Sequence, residues 1–472
     1  MSTHPEIKFG TDGWRGIIGD EFTYKNVRTV ASAISHYIAE SNDLNNTIIV
    51  GFDTRFSSDL FATAVAEIIS SHNINVKIFS RPAPTPVCSY SVIQNNSQLG
   101  VMITASHNSH EWNGIKIKSE KGSSINPEIV TRVENIIEEV ITKKRTLRGK
   151  SNSQIHIFDP IPSYLEGIKK VVDIDQIKSS KLNIIVDNMH GSGAGLLSSL
   201  LSDGNIRITE IRSKANPKFP GMEKPEPIET NLKPLSQMVI KKGAHLGLAF
   251  DGDADRLGII DENGKFVTTL EAFSALVNHF LGYRNETSGV ACTITMSSMV
   301  DKLGENYNIP VYRTPVGFKY VGPKMMEKSC FIGGEESGGY AFKQHIPERD
   351  GILSALFFLE ALIIQKKKPS SLIAELQKQM GPHVFERADL SFPPNLRKTF
   401  ELKIDQLSVD SIGGSEVVLA DRQDGIKLTL KDGSWLAIRM SGTEPLIRVY
   451  VESSDKTKIK KIFNDVFIKL KK

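Results

Sequence analysis

The chain has 472 residues, of which 40% are hydrophobic and 24% are charged. This length exceeds what one compact domain usually holds, and the composition excludes wholesale disorder, a collagen repeat and a coiled-coil rod. Lysine and arginine outnumber aspartate and glutamate by 58 to 54, and this net charge of +4 is spread along most of the chain, so it indicates no nucleic-acid partner.

The three cysteines, Cys88, Cys292 and Cys330, lie far apart in the sequence and form no CxxC pair. Neither a disulfide framework nor a zinc knuckle is indicated, and a reducing compartment fits best. The most apolar stretch, residues 352–364, contains Glu360 and is shorter than the ~20 residues that cross a bilayer. We therefore expect a cytoplasmic protein without a membrane partner.

Short apolar strands that end in an acidic turn recur along the chain, at residues 48–53, 184–187 and 246–251. A helical pattern follows the first of them as far as His72, and further strands are predicted at 76–79 and 100–103. Between these two strands we predict a turn, because prolines punctuate the segment at Pro82, Pro84 and Pro86. Such alternation predicts α/β units on mixed or parallel sheets.

Breaks in the apolar pattern divide the chain into four predicted domains. The polar stretch 143–154 separates the first two, and a less clear break lies near residue 260. After a predicted helix at 351–365, the pattern changes to paired strands around an Asp-Gly turn, followed by a terminal helix. The predicted domains are residues 1–150, 155–260, 261–370 and 381–472, and the last of these is an antiparallel α+β domain.

The predicted terminal helix carries apolar residues on one face and many lysines elsewhere. A basic amphipathic helix could lie on a membrane or bind an acidic partner. We favour the simpler interpretation that this helix docks on the sheet of the last domain and that its lysines are solvated.

A hydroxyl-rich loop, 104–108, follows the predicted strand 100–103. Open α/β sheets bind ligands at the carboxyl ends of their strands, so Ser106 is a candidate nucleophile there. Lys116 follows an Asn-Gly turn and could lie beside a transferred phosphoryl group. Taken alone, however, the tripeptide Ser-His-Asn is more often an ordinary connection.

Three carboxylates alternate with other residues in Asp251-Gly252-Asp253-Ala254-Asp255-Arg256, directly after an apolar strand. An irregular loop can turn all three toward one hard cation, and carboxylates this close repel one another unless a cation relieves them. The start of an EF-hand calcium loop is similar, but Arg256 stands where such a loop needs glycine. We favour magnesium acting with a phosphate over calcium and over a solvated acidic turn.

Two further loops carry groups that suit a sugar phosphate. Residues 333–339 surround two carboxylates and a hydroxyl with glycines, which suits vicinal sugar hydroxyls, although a plain polar turn fits equally well. Residues 439–448 offer guanidinium, hydroxyl and backbone donors for a phosphate monoester. The glycines at 191–195 do not complete a dinucleotide-binding fingerprint, because Leu196 stands where the third glycine should be.

Five segments, taken in chain order, resemble the signature motifs of the α-D-phosphohexomutase superfamily: residues 9–16, 104–116, 251–256, 334–338 and 439–448. The phosphoglucomutase/phosphomannomutase branch is the most similar, and the resemblance extends over nearly the whole chain. It implies an α/β fold of three related domains with mixed sheets and a smaller C-terminal antiparallel α+β domain, arranged around a central cleft.

The resemblance also implies roles for individual side chains. Ser106 resembles the serine that is phosphorylated in the resting enzyme, and it would share a magnesium ion with Asp251, Asp253 and Asp255. The cations around the reacting group would be Arg15, Lys116 and Arg256, with His107 next to the serine. Lys319 is a further substrate-binding candidate, while Glu335 and Ser337 would bind sugar hydroxyls. The phosphate that is not transferred would bind Arg439, Ser441, Gly442, Thr443 and Arg448.

Two positions depart from the pattern of many relatives. Ser109 stands where their serine loop has proline, and Gly339 stands where several bacterial branches have a histidine after the sugar loop. His345, in the segment 345–351, resembles the histidine of phosphoglucomutase-like members instead. It is therefore a catalytic candidate.

The activity implied is the interconversion of hexose 1-phosphate and hexose 6-phosphate, with glucose favoured over mannose. The reaction would need Mg²⁺ and pass through a phosphoserine enzyme and a hexose 1,6-bisphosphate such as glucose 1,6-bisphosphate. The alternatives are a phosphatase that uses Ser106 as its nucleophile and a catalytically silent sugar-phosphate-binding protein. Small hexose phosphates are the expected partners, and the sequence does not indicate an oligomeric state.

Overall fold

The computed structural model describes residues 7–40, 46–149, 153–441 and 446–471. Along these residues the chain forms four successive sheets, of which the first three mix parallel and antiparallel strands and the last is antiparallel. The predicted fold class is therefore confirmed. Among the helices of these residues, none has both the length and the apolar character that a membrane span requires.

The first unit is a sheet flanked by helices. Its strands are β1 (Phe9–Gly10), β2 (Gly13–Ile17), β3 (Thr47–Phe52), β4 (Asn75–Phe79), β5 (Leu99–Ile103), β6 (Trp112–Ser119) and β7 (Ile155–Phe158). Its helices are α1 (Tyr24–Glu40), α2 (Ser58–Ser71), α3 (Thr85–Gln94) and α4 (Pro127–Ile141). The strand order is β1-β2-β6-β5-β3-β4-β7, in which β5, β3, β4 and β7 run parallel.

The second unit has a smaller sheet. Its strands are β8 (Asn183–Asp187), β9 (Arg207–Ile211), β10 (Leu246–Phe250), β11 (Leu257–Ile260) and β12 (Phe266–Val267). The helices around it are α5 (Ile161–Lys169), α6 (Ile174–Ser179), α7 (Leu196–Leu201) and α8 (Lys233–Lys242), with a 3-10 turn at Glu229–Asn231. The strand order is β12-β11-β10-β8-β9.

The third unit is built in the same way. Its strands are β13 (Val290–Thr293), β14 (Val311–Thr314), β15 (Ile332–Gly334) and β16 (Tyr340–Phe342), in the order β14-β13-β15-β16. Its helices are α9 (Thr269–Gly282), α10 (Met299–Tyr307), α11 (Phe318–Lys328), α12 (Gly351–Gln365) and α13 (Pro369–Met380). Helix α12 is apolar almost throughout and nearly all of it is buried, as a central helix should be.

A common strand order relates the three units. Each contains three parallel strands followed by one antiparallel strand, in the orders β4-β3-β5-β6, β9-β8-β10-β11 and β14-β13-β15-β16. The loop between the last parallel strand and its antiparallel neighbour carries the serine in the first unit, the three aspartates in the second and the predicted sugar loop in the third. All three loops therefore leave the carboxyl end of a parallel strand, where α/β sheets bind ligands.

The C-terminal unit is an antiparallel sheet of β17 (Val384–Ser391), β18 (Ser411–Ile412), β19 (Ser415–Asp421), β20 (Ile426–Leu430), β21 (Trp435–Met440) and β22 (Leu446–Ser453), in the order β17-β22-β21-β20-β19-β18. It also has a 3-10 turn at Pro394–Leu396 and the helices α14 (Arg397–Asp405) and α15 (Lys456–Lys471). Helix α15 packs its apolar face, which includes Ile459, Ile462 and Val466, into the core of this unit. This is the docked arrangement that we favoured from the sequence.

Three elements differ from the sequence-based expectation. Helix α3 occupies part of the predicted proline turn, because Pro84 precedes the helix and Pro86 lies in its first turn, where a missing N–H costs no hydrogen bond. Strand β7, which we placed at the start of the second domain, pairs with β4 of the first sheet. Strand β12 pairs with β11, so the second sheet continues past the break predicted near residue 260.

The start of helix α12 positions the aspartate loop of the second unit. Asp350 caps this helix, because its Oδ1 accepts a hydrogen bond of 2.9 Å from the Leu353 amide. The next residue, Gly351, donates its amide to Ala254 O at 3.1 Å, and a side chain at Gly351 would collide with the Arg256 carbonyl. The glycine therefore allows the helix to press against the backbone of the aspartate loop.

Candidate active site

A cleft lies where loops of the four units meet. Among the described residues, six arginines line it: Arg15, Arg256, Arg349, Arg387, Arg439 and Arg448. Lys224 adds a seventh cation, against the carboxylates of Asp12, Glu226, Glu335, Glu336 and Asp389. Positive charge is therefore in excess, and the cleft suits an anionic ligand.

The predicted nucleophile lies just beneath the wall of this cleft. Ser106 is only 1% exposed, whereas the next residues along the chain, His107 and Asn108, line the cleft. The Ser106 hydroxyl donates to Asp251 Oδ2 at 3.0 Å and lies 3.3 Å from His107 Nδ1. Its backbone is in the left-handed region, with φ of 52°, an unfavourable conformation that is typical of functional turns.

Arg55 fixes the shape of the serine loop, and the sequence analysis did not identify it. Its guanidinium donates to four backbone carbonyls of the loop and its continuation, at 2.6–3.0 Å: those of Ser106, Asn108, Ser109 and Trp112. The carboxylate of Asp53 lies 3.4 Å from Arg55 Nε, and both side chains are fully buried. The only sequence signal was the acidic end of strand β3, which we took as a fold signature alone.

The three aspartates come together as the sequence predicted. Asp251, Asp253 and Asp255 are fully buried, and one oxygen from each lies within 4.8 Å of the others. Burial, together with the charges of Asp255 and Asp253, holds the pKa of Asp251 well above its usual range. The three buried carboxylates thus repel one another, and a bound cation could relieve this repulsion.

The donor set of these aspartates fits a hard divalent cation. Asp253 Oδ1 and Asp255 Oδ1 are buried and have no hydrogen-bond donor among the described residues. Buried anionic oxygens without a partner are costly, and carboxylate oxygens are what Mg²⁺ and Ca²⁺ prefer as ligands. The Ser106 hydroxyl, bonded to Asp251, lies at the edge of the same group.

Lys116 reaches this group from strand β6. Its ammonium lies 2.7 Å from Asp12 Oδ2, 2.8 Å from Asp253 Oδ2 and 3.0 Å from Asp255 Oδ2. Burial alone would lower the pKa of Lys116, but these carboxylates raise it above its usual range, so the side chain stays protonated. Lys116 therefore holds the aspartate loop against the first unit as a fixed positive charge.

Arg349, in the segment before α12, contacts carboxylates of all three α/β units. It forms an ion pair with Asp12 of the first unit, lies 3.0 Å from Asp255 Oδ2 of the second and 3.4 Å from Glu335 Oε2 of the third. We examined this segment in the sequence for His345 and missed Arg349. The signal available was an arginine directly before the acidic helix cap Asp350.

The sugar loop places its two predicted side chains on the cleft wall. Burial, only partly offset by Arg349, raises the pKa of Glu335 to about 7. The Ser337 hydroxyl is buried and has no hydrogen-bond partner within the described residues. Both groups are thus available to a polar ligand, whereas Lys319 is half-buried over the ring of Tyr320 and does not line the cleft.

Three strands of the C-terminal unit present arginines at the other side of the cleft. Arg439 and Arg448 are directly opposite each other on β21 and β22, and Arg387 comes from β17. Within the protein, Asp424 pairs with Arg439 at 2.9 Å, and Asp389 lies 3.0 Å from Arg387 and 3.9 Å from Arg448. Ser441 also lines the cleft, Gly442 and Thr443 lie outside the described residues, and Arg387 was not identified from the sequence.

The two candidate histidines differ in position. Burial, with Arg256, Arg15 and Lys116 nearby, keeps the pKa of His107 well below its usual range, so His107 is neutral at pH 7. His345 is not among the residues that line the cleft: its ring stacks on Tyr90, and its Nε2 lies 3.3 Å from Asp350 Oδ2. This buried packing corrects our catalytic assignment of His345, because the imidazole faces the helix cap and not the cleft.

Two further predicted cations stand beside the serine loop. Arg15, on strand β2, donates a hydrogen bond to Asn108 Oδ1. Arg256 donates to Glu226 Oε1 at 2.8 Å, and its Nε lies 3.9 Å from both Asp251 and Asp255. A hydroxyl on strained backbone, surrounded by fixed cations and a carboxylate group that fits a metal, is an arrangement that can carry out phosphoryl transfer.

Comparison with known proteins identifies the family. All four domain models of the phosphoglucomutase/phosphomannomutase family match: α/β/α domain I at residues 6–144, domain II at 162–264, domain III at 271–380 and the C-terminal domain at 405–469. The chain belongs to this family, in the α-D-phosphohexomutase superfamily, and is an isomerase of the intramolecular phosphotransferase type.

Individual relatives extend over nearly the whole chain. A phosphoglucomutase/phosphomannomutase of Thermococcus kodakarensis is 32% identical, with 95% of each chain covered. A phosphoglucosamine/phosphogalactosamine mutase of Sulfurisphaera tokodaii is 30% identical, with 97% of this chain and 98% of the relative covered. A solved structure from Thermus thermophilus, named a phosphomannomutase, superposes with a TM-score of 0.87 at 28% identity and full coverage of both chains.

Proposed function

We propose that this protein interconverts hexose 1-phosphates and hexose 6-phosphates through a phosphoserine at Ser106. One observation carries the proposal: a buried, strained serine beside the aspartate group lies just beneath the wall of a cleft that an arginine cluster of the C-terminal sheet also lines. A mutase needs these two phosphate positions at once, because the bisphosphate intermediate must place each of its phosphates at the serine in turn.

The aspartates would hold a Mg²⁺ ion. Asp253 Oδ1 and Asp255 Oδ1, together with Asp251, offer anionic oxygens that lack other donors in the described part of the chain. Such an ion supplies positive charge that stabilises the oxygens of a transferred phosphoryl group.

The protein's own cations and hydroxyl carry the transfer. The bond between phosphorus and Ser106 Oγ breaks as the free sugar hydroxyl bonds to phosphorus; Arg15, on the cleft wall, balances the negative charge, and Lys116 neutralises part of the aspartate group beside the serine. The proton of the attacking hydroxyl needs an acceptor close to the serine. His107 is neutral and 3.3 Å from Ser106 Oγ, so we assign this role to it, but its lowered pKa makes it a weak base that holds the proton only transiently before solvent takes it up.

The third and fourth units would orient the sugar. Glu335 and Ser337 would bind its ring hydroxyls, because a carboxylate and a hydroxyl can contact two neighbouring hydroxyls at once. Arg439 and Arg448, with Arg387, would bind the phosphate that is not being transferred. In the second half of the reaction the two phosphates exchange places.

The sugar itself is the least constrained part of the proposal. We place glucose first and mannose second, and the contacts assigned to Glu335 and Ser337 suit either sugar because they do not involve the 2-hydroxyl. The amino sugars enter the test because one relative is named a phosphoglucosamine/phosphogalactosamine mutase. The 1-phosphates of glucose, mannose and glucosamine should therefore be compared in coupled assays with Mg²⁺ and a trace of the matching bisphosphate.

The test of the mechanism is Ser106→Ala. Intact-mass measurement and peptide mapping of the wild type should find one phosphate on Ser106, and the alanine variant should lose turnover while it still binds sugar phosphate. Full turnover by the variant would refute the phosphoserine. Release of free phosphate from the substrates would instead identify the phosphatase alternative, and binding without any turnover would identify a silent binding protein.

A further inference from the structure

Asp424, in the turn between β19 and β20, lies between the remote phosphate site and the third unit. Its Oδ2 accepts a hydrogen bond of 2.9 Å from Arg439 Nε. The same oxygen accepts a hydrogen bond of 3.0 Å from the backbone amide of Val316, which follows β14 in the third unit. One carboxylate oxygen thus joins a cleft arginine to a different domain.

The geometry leaves Arg439 free to bind an anion while it keeps this contact. A guanidinium presents five N–H donors, and Asp424 uses the one on Nε. The donors on the two terminal nitrogens are the ones that usually grip a phosphate in pairs. The Arg439 side chain is only 6% exposed and that of Asp424 is 21% exposed, so the pair is shielded from competing water.

Other hydrogen bonds between the same two units have no link to the cleft. Lys427 donates its ammonium to Ile294 O at 2.7 Å and lies over the Trp435 ring. Glu452 Oε1 accepts from the Ser298 amide and hydroxyl at 2.9 and 2.6 Å. Among the described residues, neither Lys427 nor Glu452 lines the cleft or hydrogen-bonds to a cleft arginine. Asp424 therefore makes both a contact between the units and a contact with a cleft arginine, whereas Lys427 and Glu452 make only the first.

We propose that Asp424 is a positioning residue that couples phosphate binding at Arg439 to docking of the C-terminal unit on the third unit. The proposal rests on the proposed function, because it needs Arg439 to bind the phosphate that is not transferred. A bound phosphate holds the guanidinium still, the guanidinium holds the Asp424 carboxylate, and the carboxylate is then in place for the Val316 amide. By linkage, docking strengthens phosphate binding by the same factor.

The test is a double-mutant cycle on binding, with Ser106→Ala as the background so that no turnover occurs. The dissociation constant of glucose 1-phosphate, or of the 1-phosphate that the wild type turns over best, is measured by calorimetry for Asp424→Ala, Arg439→Ala and the double variant. Each single substitution should weaken binding by about tenfold or more: Arg439→Ala removes a charge-assisted contact with the phosphate, and Asp424→Ala removes the hydrogen bond that holds Arg439 in place for it. The double variant should bind within about threefold of the weaker single variant, because the two residues act as one unit.

The matched control cycle combines Lys427→Met with Arg439→Ala. Lys427 also bonds to a backbone atom of the third unit, and methionine keeps its packing on Trp435. The effects of these two substitutions should multiply, because Lys427 has no contact with Arg439. Asp424→Asn, which keeps a carbonyl oxygen in the same place, should restore most of the binding that Asp424→Ala loses, and thermal melting checks that each variant is folded.

A second measurement follows docking directly. Small-angle scattering should show that the background protein with bound sugar phosphate is compact, and that Asp424→Ala is more expanded even at saturating ligand. The coupling would be overturned if the effects of Asp424→Ala and Arg439→Ala on binding multiplied, or if Asp424→Ala were as compact as the background protein. If the coupling fails but the wild-type protein shows mutase turnover, the proposed function still stands. If the double-mutant cycle shows coupling but the wild-type protein shows no mutase turnover, the proposed function is overturned and the coupling is kept.

Discussion

Arg55 allows the most stringent test of how the serine loop is held. Its guanidinium donates to four loop carbonyls and faces Asp53. In Arg55→Lys the charge remains, but an ammonium has three donors, and one of them is needed for Asp53. At least two of the four carbonyls then lose their donor.

The expected cost follows from those lost contacts. A buried acceptor without a partner costs ~1–3 kcal/mol, so two of them cost ~2–6 kcal/mol, divided between global stability and the local geometry of Ser106. If ~2 kcal/mol of this falls on the transition state, kcat drops roughly 30-fold. KM for the hexose phosphate should change little, because the remote arginines and the sugar loop do not contact Arg55.

Steady-state kinetics with thermal melting distinguish this result from simple unfolding. The control is Arg132→Lys, the same exchange at an exposed arginine paired with Glu40, where surface ion pairs contribute little. It should match the wild type in both measurements. A folded Arg55→Lys enzyme with a kcat within twofold of the wild type would refute the claim that Arg55 positions the nucleophile.

Four further predictions concern the aspartate group, Glu335 and Arg439. Asp253→Asn should abolish most of the activity and weaken Mg²⁺ binding at least ~10-fold, as judged by magnesium titration of chelator-treated enzyme; undiminished turnover in excess chelator would show that the aspartates bind no metal. Because the pKa of Glu335 is raised to about 7, this carboxyl is protonated below neutrality and is then a poorer hydrogen-bond acceptor. KM should therefore rise as the pH falls through 7, and Glu335→Gln should remove that part of the dependence of KM on pH. The folded protein also binds this proton more tightly than the unfolded chain, so Glu335 should reduce stability as the pH rises between about 4.5 and 7, which melting of wild type and Glu335→Gln at several pH values would detect. Arg439→Ala should lower kcat/KM by ~30-fold to several-thousand-fold, retain the phosphoserine and release more bisphosphate into solution, whereas kinetics like those of the wild type would mean that the loop is a plain strand connection.

The sequence was most informative where chemically reactive residues are neighbours in the chain and directly follow a recognisable strand. The segments around Ser106 and Asp251 are contiguous and follow apolar strands, so residue type and position together predicted both loops. The strands around the Asp432-Gly433 turn were equally clear, because their apolar pattern and the turn agree. These are features that neighbours along the chain determine.

The residues that the sequence did not indicate contact parts of the chain that are distant in sequence. Arg55 and Arg349 are single arginines without a motif, and their roles depend on carbonyls and carboxylates brought close by folding. Arg387 lies on β17, and only the pairing of β17 with β22 brings it beside Arg448. His345 misled the prediction in the opposite way, because its motif is real but the ring packs beneath Asp350.

The repeated strand order has a consequence for how substrate preference can change. Each of the three loops is anchored at both ends by neighbouring, hydrogen-bonded strands, so its length and sequence can vary without moving the sheet below it. The candidate nucleophile Ser106, the three aspartates and the proposed sugar contacts occupy three separate copies of the same architectural position. Each loop can thus be exchanged separately without rebuilding its sheet, provided that a new third loop keeps a carboxylate for Arg349, which also contacts Asp255 of the second loop.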